Sequence, residues 1–158
     1  MDYALALANY HSGDETNAFL LFTNFVTQYP TNHLASQAQW WVADHFYRAG
    51  DFENAERNYK PVFQNTNWQG SPLADRTNLY YPAQMMAGRA AVARLDYTGA
   101  IRDYFSKLEQ DTNCPLDLRV QATFAHGDAL MRSDSSDTNN PLANFGLATN
   151  EFFQVAQL

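Results

Sequence analysis

The stretch Ala49–Tyr59, which reads AGDFENAERNY, decides the fold of this chain. In it a Gly-Asp pair is followed four residues later by the small residue Ala55 and, after four more, by an aromatic. The same order occurs 37 residues earlier, in Ser12–Phe22 (SGDETNAFLLF). Repetition at a period of about 20 to 50 residues is typical of a solenoid, in which each repeat buries its apolar face against its neighbours.

A third copy of the pattern stands at Arg94–Tyr104 (RLDYTGAIRDY), with Leu95 in place of the glycine. Apolar residues at helical spacing flank each turn, so the sequence predicts four helical pairs and an all-α fold. A turn-rich loop is expected from Gln64 to about Asn78, and the polar run Ser133–Asn140 is expected to be a mobile insertion in the fourth pair. The last helix should follow Pro141.

The repeated positions predict the core. The small residues should allow close helix packing, and the aromatic residues at equivalent spots on the second helices should be buried. These residues are Ala18, Ala55, Ala100 and Ala148, with Phe22, Phe25, Tyr59 and Tyr104.

Charge and composition exclude several classes of function. The 158 residues carry a formal net charge of −7, which argues against a nucleic-acid-binding face and favours basic partners. No apolar run is long enough to span a bilayer, so no transmembrane segment is expected. The chain starts within a repeat and stops with a helix still running, so we expect a fragment of a longer protein whose C-terminal end promotes self-association.

No residue pattern indicates catalysis or a cofactor. The histidines His11, His33, His45 and His126 lack a metal-ligand spacing, and Cys114 has no evident partner for nucleophilic chemistry. Phosphate-binding and nucleophile-elbow motifs are missing from the sequence. We therefore predict neither an enzyme, nor a metal site, nor a bound cofactor.

The three turns resemble those of the tetratricopeptide repeat (TPR) family. That resemblance implies a right-handed solenoid of about four helix pairs in a single domain, 1–158, with repeats at roughly 1–30, 31–66, 72–112 and 113–158. A narrower stretch, Phe22–Ala55, is similar to the bacterial envelope branch of the family, through its Phe-x-x-Phe, Tyr-Pro, spaced alanines and aromatic pair before Gly-Asp. This likeness implies a periplasmic or envelope-associated adaptor; otherwise the protein is expected in the cytoplasm.

In this family the first helix of each pair lines a concave groove, where a protein or peptide partner binds. Matching each pair to the family pattern gives the candidate groove residues Tyr10, Trp40, Asp44, Tyr47, Arg48, Met85, Arg89, Phe124, Asp128 and Arg132, with His11, Gln37, Val92 and Gln121 beside them. A mixture of Trp, Tyr, Arg and Met is the composition expected of a binding surface. Packing between repeats is the competing interpretation for each of these residues.

Two other functions stay open. One is a structural spacer within a larger envelope protein. The other is a carbohydrate-binding or enzyme-associated helical module in which Trp40, Trp41 and Trp68 stack on sugars. A deep pocket with convergent carboxylates favours that module. An open groove without strongly perturbed titratable groups favours the adaptor.

Overall fold

A computed structural model describes residues 2–65, 68, 79–135 and 139–157. Within these ranges the chain forms eight helices and no strand, so the prediction of an all-α fold is confirmed. The helices are α1 (Asp2–His11), α2 (Glu15–Gln28), α3 (Ala35–Arg48), α4 (Phe52–Gln64), α5 (Tyr81–Ala93), α6 (97–110), α7 (Leu116–Arg132) and α8 (Ala143–Val155).

Helix α6 is continuous but not uniform. It begins as an α-helix at Tyr97–Ala100, widens to a π-helical turn at Ile101–Phe105 and ends as an α-helix at Ser106–Gln110. A π-turn holds one more residue than an α-turn. It therefore changes the direction in which every later side chain of α6 points.

Most of the predicted loop from Gln64 to about Asn78 lies outside the described residues, as do residues 136–138 of the predicted polar insertion. None of the helices that the structure describes is both long and apolar enough to cross a membrane.

The helices group into two compact units, Met1–Ala83 and Gln84–Leu158. In the first unit α1 packs on α2, α2 on α3 and α3 on α4. In the second unit α6 packs on α7 and α7 on α8, while Gln84 of α5 donates a hydrogen bond to the carbonyl oxygen of Tyr104 in α6, at 3.3 Å. Helices that follow one another in sequence are thus neighbours in space within each unit.

Three turns share one backbone geometry, as the repeated sequence predicts. The residue before each aspartate has a positive φ, 84° at Gly13, 78° at Gly50 and 67° at Leu95. In each turn the aspartate N–H donates to the carbonyl five residues back and the preceding N–H to the carbonyl three residues back, at 2.9 to 3.1 Å. These paired bonds satisfy the last carbonyl groups of the first helix.

The aspartate of each turn also caps the second helix. The side chains of Asp14, Asp51 and Asp96 each accept a hydrogen bond from the backbone N–H three residues on, at 3.2, 3.2 and 3.0 Å. Such a cap contributes about 1 kcal/mol. The Gly-Asp pair therefore ends one helix and begins the next, which explains why it recurs.

The predicted core is confirmed residue by residue. Every small or aromatic residue named for it is at most 6% exposed: Ala18, Ala55, Ala100, Ala148, Phe22, Phe25, Tyr59 and Tyr104. Two glycines bring helices even closer together. A methyl group on Gly88 would lie 2.5 Å from the ring of Phe105, and one on Gly127 would lie 2.7 Å from the ring of Phe152.

Candidate functional site

In the first unit, the guanidinium of Arg48 joins the ends of α1, α2 and α3. Arg48, at the end of α3, forms ion pairs with Glu15 at 2.8 Å and with Asp44 at 2.9 Å. Its guanidinium carbon also lies 5.5 Å from the centre of the Tyr10 ring, a cation–π distance. The structure thus brings together three of the predicted groove residues, Tyr10, Asp44 and Arg48.

Beside this cluster lies a shallow, open depression between α1, α2 and α3. Aromatic pairs form its walls: the rings of Tyr10 and Trp41 are 4.4 Å apart, and those of Phe19 and His45 are stacked at 4.3 Å. The acidic residue that lines the depression, Glu15, already forms an ion pair with Arg48. The depression therefore has the composition of a contact surface for apolar and aromatic groups.

Trp40 and Tyr47 lie on the side of α3 that faces α4. Their ring centres are 5.2 and 6.5 Å from that of Tyr59, and both side chains are only half-buried. Burial raises the pKa of Tyr59, whose hydroxyl has no hydrogen-bond partner among the described residues. Trp40 and Tyr47 thus pack on the core with one edge and remain accessible with the other.

The second unit carries the remaining predicted groove residues. Arg89 of α5 donates a hydrogen bond to Gln121 of α7 at 3.0 Å, and Asp128 pairs with Arg132 at 3.0 Å along α7. Phe124, between these contacts, is 58% exposed.

Met85 does not belong to this surface. It is 2% exposed and packs in the core, so it cannot touch a partner without unfolding. A methionine at this position fills space between helices, as its flexible side chain often does.

A cluster that the sequence did not reveal lies in the second unit. Nδ1 of His126 on α7 is 3.1 Å from both carboxylate oxygens of Glu109 on α6 and 3.9 Å from Oε2 of Glu151 on α8. All three side chains are less than a fifth exposed. In the part of the chain that the structure describes, this is the one group of three His, Cys, Asp or Glu residues placed to hold a metal ion.

The triad carries more negative than positive charge. Burial disfavours the His126 imidazolium, but the hydrogen bond and charge of Glu109, with the charge of Glu151, outweigh that effect and raise the pKa of His126. Burial and the Glu109 carboxylate raise the pKa of Glu151, against the opposing effect of His126. Two carboxylates share one cation, so negative charge is left over.

No local motif could have identified the triad, because each residue comes from a different helix. The expectation that no histidine ligates a metal rested on spacing within one helix, and such spacing cannot report a site built by tertiary packing. The π-turn before Glu109 in α6 is the kind of irregularity often found near functional sites, but it becomes visible only in the structure.

Cys114 is 3% exposed, and burial together with Asp111 raises the pKa of its thiol to about 11. It is therefore protonated at neutral pH and unsuited to act as a nucleophile.

Comparison with known proteins gives no relative: no family model, no curated protein and no solved structure matches this chain.

Proposed function

We propose that the chain is a TPR-like right-handed solenoid and serves as a non-enzymatic adaptor that binds peptide segments on the faces of its first helices. The observation that supports this most is the threefold recurrence of one turn at Gly13-Asp14, Gly50-Asp51 and Leu95-Asp96. Equal turns give the first helices of the first three pairs the same register relative to the turn. The residues at the matching first-helix positions then share a role, and nearly all of them keep exposed surface.

Each unit offers its own proposed binding surface. In the first unit it consists of Tyr10, Trp40, Asp44, Tyr47 and Arg48; in the second it consists of Arg89, Phe124, Asp128 and Arg132. Half-exposed aromatic rings beside charged groups are typical of interaction hot spots.

The chemistry of the surface indicates what binds. Arg48 is neutralised by Glu15 and Asp44, which together carry one charge more than it does, and the whole chain has a net charge of −7. We therefore expect a peptide with an aromatic or aliphatic anchor and basic flanking residues. The similarity of Phe22–Ala55 to the envelope branch supports a periplasmic or envelope-associated location.

A random peptide library displayed on phage provides the test, because it requires no knowledge of the natural partner. Selected peptides should contain aromatic and basic residues. Trp40→Ala should weaken their binding roughly thirtyfold, the equivalent of about 2 kcal/mol for a hot-spot tryptophan. Since Trp40 also packs on Tyr59, Trp40→Phe should be measured alongside, and it should keep the fold while losing part of the affinity.

Leu20→Ser is the matched control, because Leu20 is a 52% exposed apolar residue on α2, a second helix. It should leave affinity unchanged. Phe124→Ser tests the proposed surface of the second unit. Peptides that bind equally well to the Trp40, Arg48 and Phe124 variants, with circular dichroism unchanged, would contradict the adaptor function and favour the spacer.

A further inference from the structure

We propose that Glu109, His126 and Glu151 form a binding site for one divalent transition-metal ion, of which Zn²⁺ is the best match. The site would use Nδ1 of His126 and one oxygen from each carboxylate, and it would join α6, α7 and α8 through a single ion. This role is separate from the peptide-binding surface, because none of the three residues belongs to it.

The distances suit a metal ion. A tetrahedral zinc ion with bonds of about 2.0 to 2.2 Å holds its ligand atoms about 3.4 Å apart. In the structure Nδ1 of His126 is 3.1 Å from Glu109 and 3.9 Å from Glu151, and all three ligand atoms lie within 4.8 Å of one another.

The charges favour a cation. The charged groups that act on the His126 imidazole are Glu109 and Glu151, one from each neighbouring helix. With the imidazole protonated the triad has a net charge of −1, and with it neutral −2. All three side chains are 14 to 19% exposed, so water screens this charge poorly, and a divalent ion would compensate it.

The donor types select among metals. An imidazole nitrogen suits zinc and its neighbours in the first transition row, whereas Mg²⁺ and Ca²⁺ prefer oxygen ligands alone. Three protein ligands leave a fourth position for water. When the His126 imidazole is protonated, the ion displaces the proton on Nδ1, which is released to solvent, so affinity should fall as pH is lowered.

The site would stabilise the last helix. Helix α8 packs on α7 through Ala148 and through Phe152 against Gly127, but Phe145, Leu147 and Phe153 are about half exposed or more. An ion held by Glu151 and the two other helices adds a bond that α8 otherwise lacks. Zinc should therefore raise the melting temperature of the folded chain.

The experiment uses the 158-residue chain without a histidine tag. EDTA removes any bound metal, and the EDTA is then removed by dialysis. Zn²⁺ is titrated by calorimetry near neutral pH, in two buffers that differ in ionisation enthalpy, so that proton release is measured as well. We expect one ion per chain, a proton released on binding and a raised melting temperature. Mg²⁺ should bind far more weakly.

Variants locate the site. His126→Gln and Glu151→Gln should each weaken zinc binding at least tenfold, since even residues that only support metal ligands typically contribute that much. The matched controls His11→Gln and Glu53→Gln change exposed residues of the first unit and should have no effect. Glutamine keeps the size of glutamate, so Glu151→Gln is informative even if His126→Gln folds poorly.

Failure of the wild-type chain to bind zinc at millimolar concentration would overturn the proposal and leave the triad as an ion pair. Binding that survives both triad variants, or that is lost in His11→Gln, would overturn it equally. Peptide binding is measured separately, so its failure does not affect this result.

Discussion

Leu95 occupies the turn position that glycine holds in the two preceding turns, with a φ of 67°. A left-handed conformation costs a residue with a side chain about 1 to 2 kcal/mol. Leu95 is also 71% exposed, so its side chain recovers little of that cost by packing. The turn keeps its shape because Asp96 caps the next helix and the backbone hydrogen bonds of the turn are complete.

Leu95→Gly should therefore stabilise the protein. The relief of strain offsets the about 0.5 to 1 kcal/mol by which glycine favours the unfolded chain, which leaves a gain of up to about 1.5 kcal/mol in urea unfolding. Gly50→Leu, the reverse change in an equivalent turn, should destabilise by more than about 1 kcal/mol. Equal stabilities of Leu95→Gly and wild type, with Gly50→Leu harmless, would show that the two turns do not constrain φ.

His126 and Glu151 make metal-free stability depend on pH. Both pKa values are raised in the folded state, from 6.5 and from 4.5, so the native chain holds protons that the unfolded chain has lost. The stabilisation from His126 is complete below about pH 6.5 and is lost as pH rises through the pKa of the folded state. For Glu151 the loss begins lower, because its ionisation destabilises the folded chain from about pH 4.5 upward.

We therefore expect the free energy of unfolding, measured with EDTA present, to fall as pH rises above 6.5. The slope cannot exceed about 1.4 kcal/mol per pH unit for a single proton. His126→Gln should flatten this part of the profile, whereas His33→Gln, on an exposed histidine, should not. If the free energy of unfolding still falls with pH in His126→Gln, another titrating group causes the pH dependence.

At the scale of helices, the sequence predicts what local chemistry determines. Helix ends follow from Gly-Asp pairs, and buried positions follow from the spacing of alanines and aromatics. Two features escape this reasoning. The π-turn of α6 has no sequence signal, and buried Gln39 and Gln84, which hydrogen-bond to Asn58 and to the Tyr104 carbonyl, resemble ordinary polar residues until the partner helix is in place.

Substitutions at two helical glycines distinguish the effect of close packing on stability from that of helix propensity. Gly127→Ala should destabilise the second unit by about 1 kcal/mol, because overpacking against Phe152 costs about 1 to 3 kcal/mol and alanine regains about 1 as a better helix former. Gly146→Ala on α8 meets no atom within 4 Å and should stabilise by up to about 1 kcal/mol. Thermal unfolding of both variants is the measurement. Stabilisation by Gly127→Ala would mean that α7 and α8 lie further apart than the structure shows.

At the scale of the whole molecule, the site was only partly predictable. The family pattern led to Tyr10, Asp44 and Arg48, which the structure brings together, but also to Met85, which is buried. The metal-binding triad could not be predicted, since contact between residues as far apart as 109 and 151 is a consequence of packing. The function of a repeat protein therefore depends on the side chains of its binding sites rather than on the repeat that positions them.

The exposed face of α8 should promote self-association. Leu147 and Phe153 are 51 and 65% exposed, and exposed apolar side chains on one helix favour pairing with a second copy. Sedimentation equilibrium should show dimers that increase with concentration. Phe153→Ser should weaken them at least several-fold, whereas Leu5→Ser, on 51% exposed Leu5 of α1, should not. A strict monomer at high concentration would contradict this prediction.

The central claim, that peptides bind on the first-helix faces, is tested most directly by the indole N–H signals of the tryptophans in a nitrogen–proton NMR spectrum. Trp40 belongs to the proposed surface, whereas the indole of Trp68 donates to the carbonyl of Pro30 at 2.8 Å, outside that surface. When a peptide selected for binding is added, the Trp40 signal should shift in proportion to occupancy and the Trp68 signal should stay in place. Movement of the Trp68 signal with Trp40 unchanged would contradict the claim.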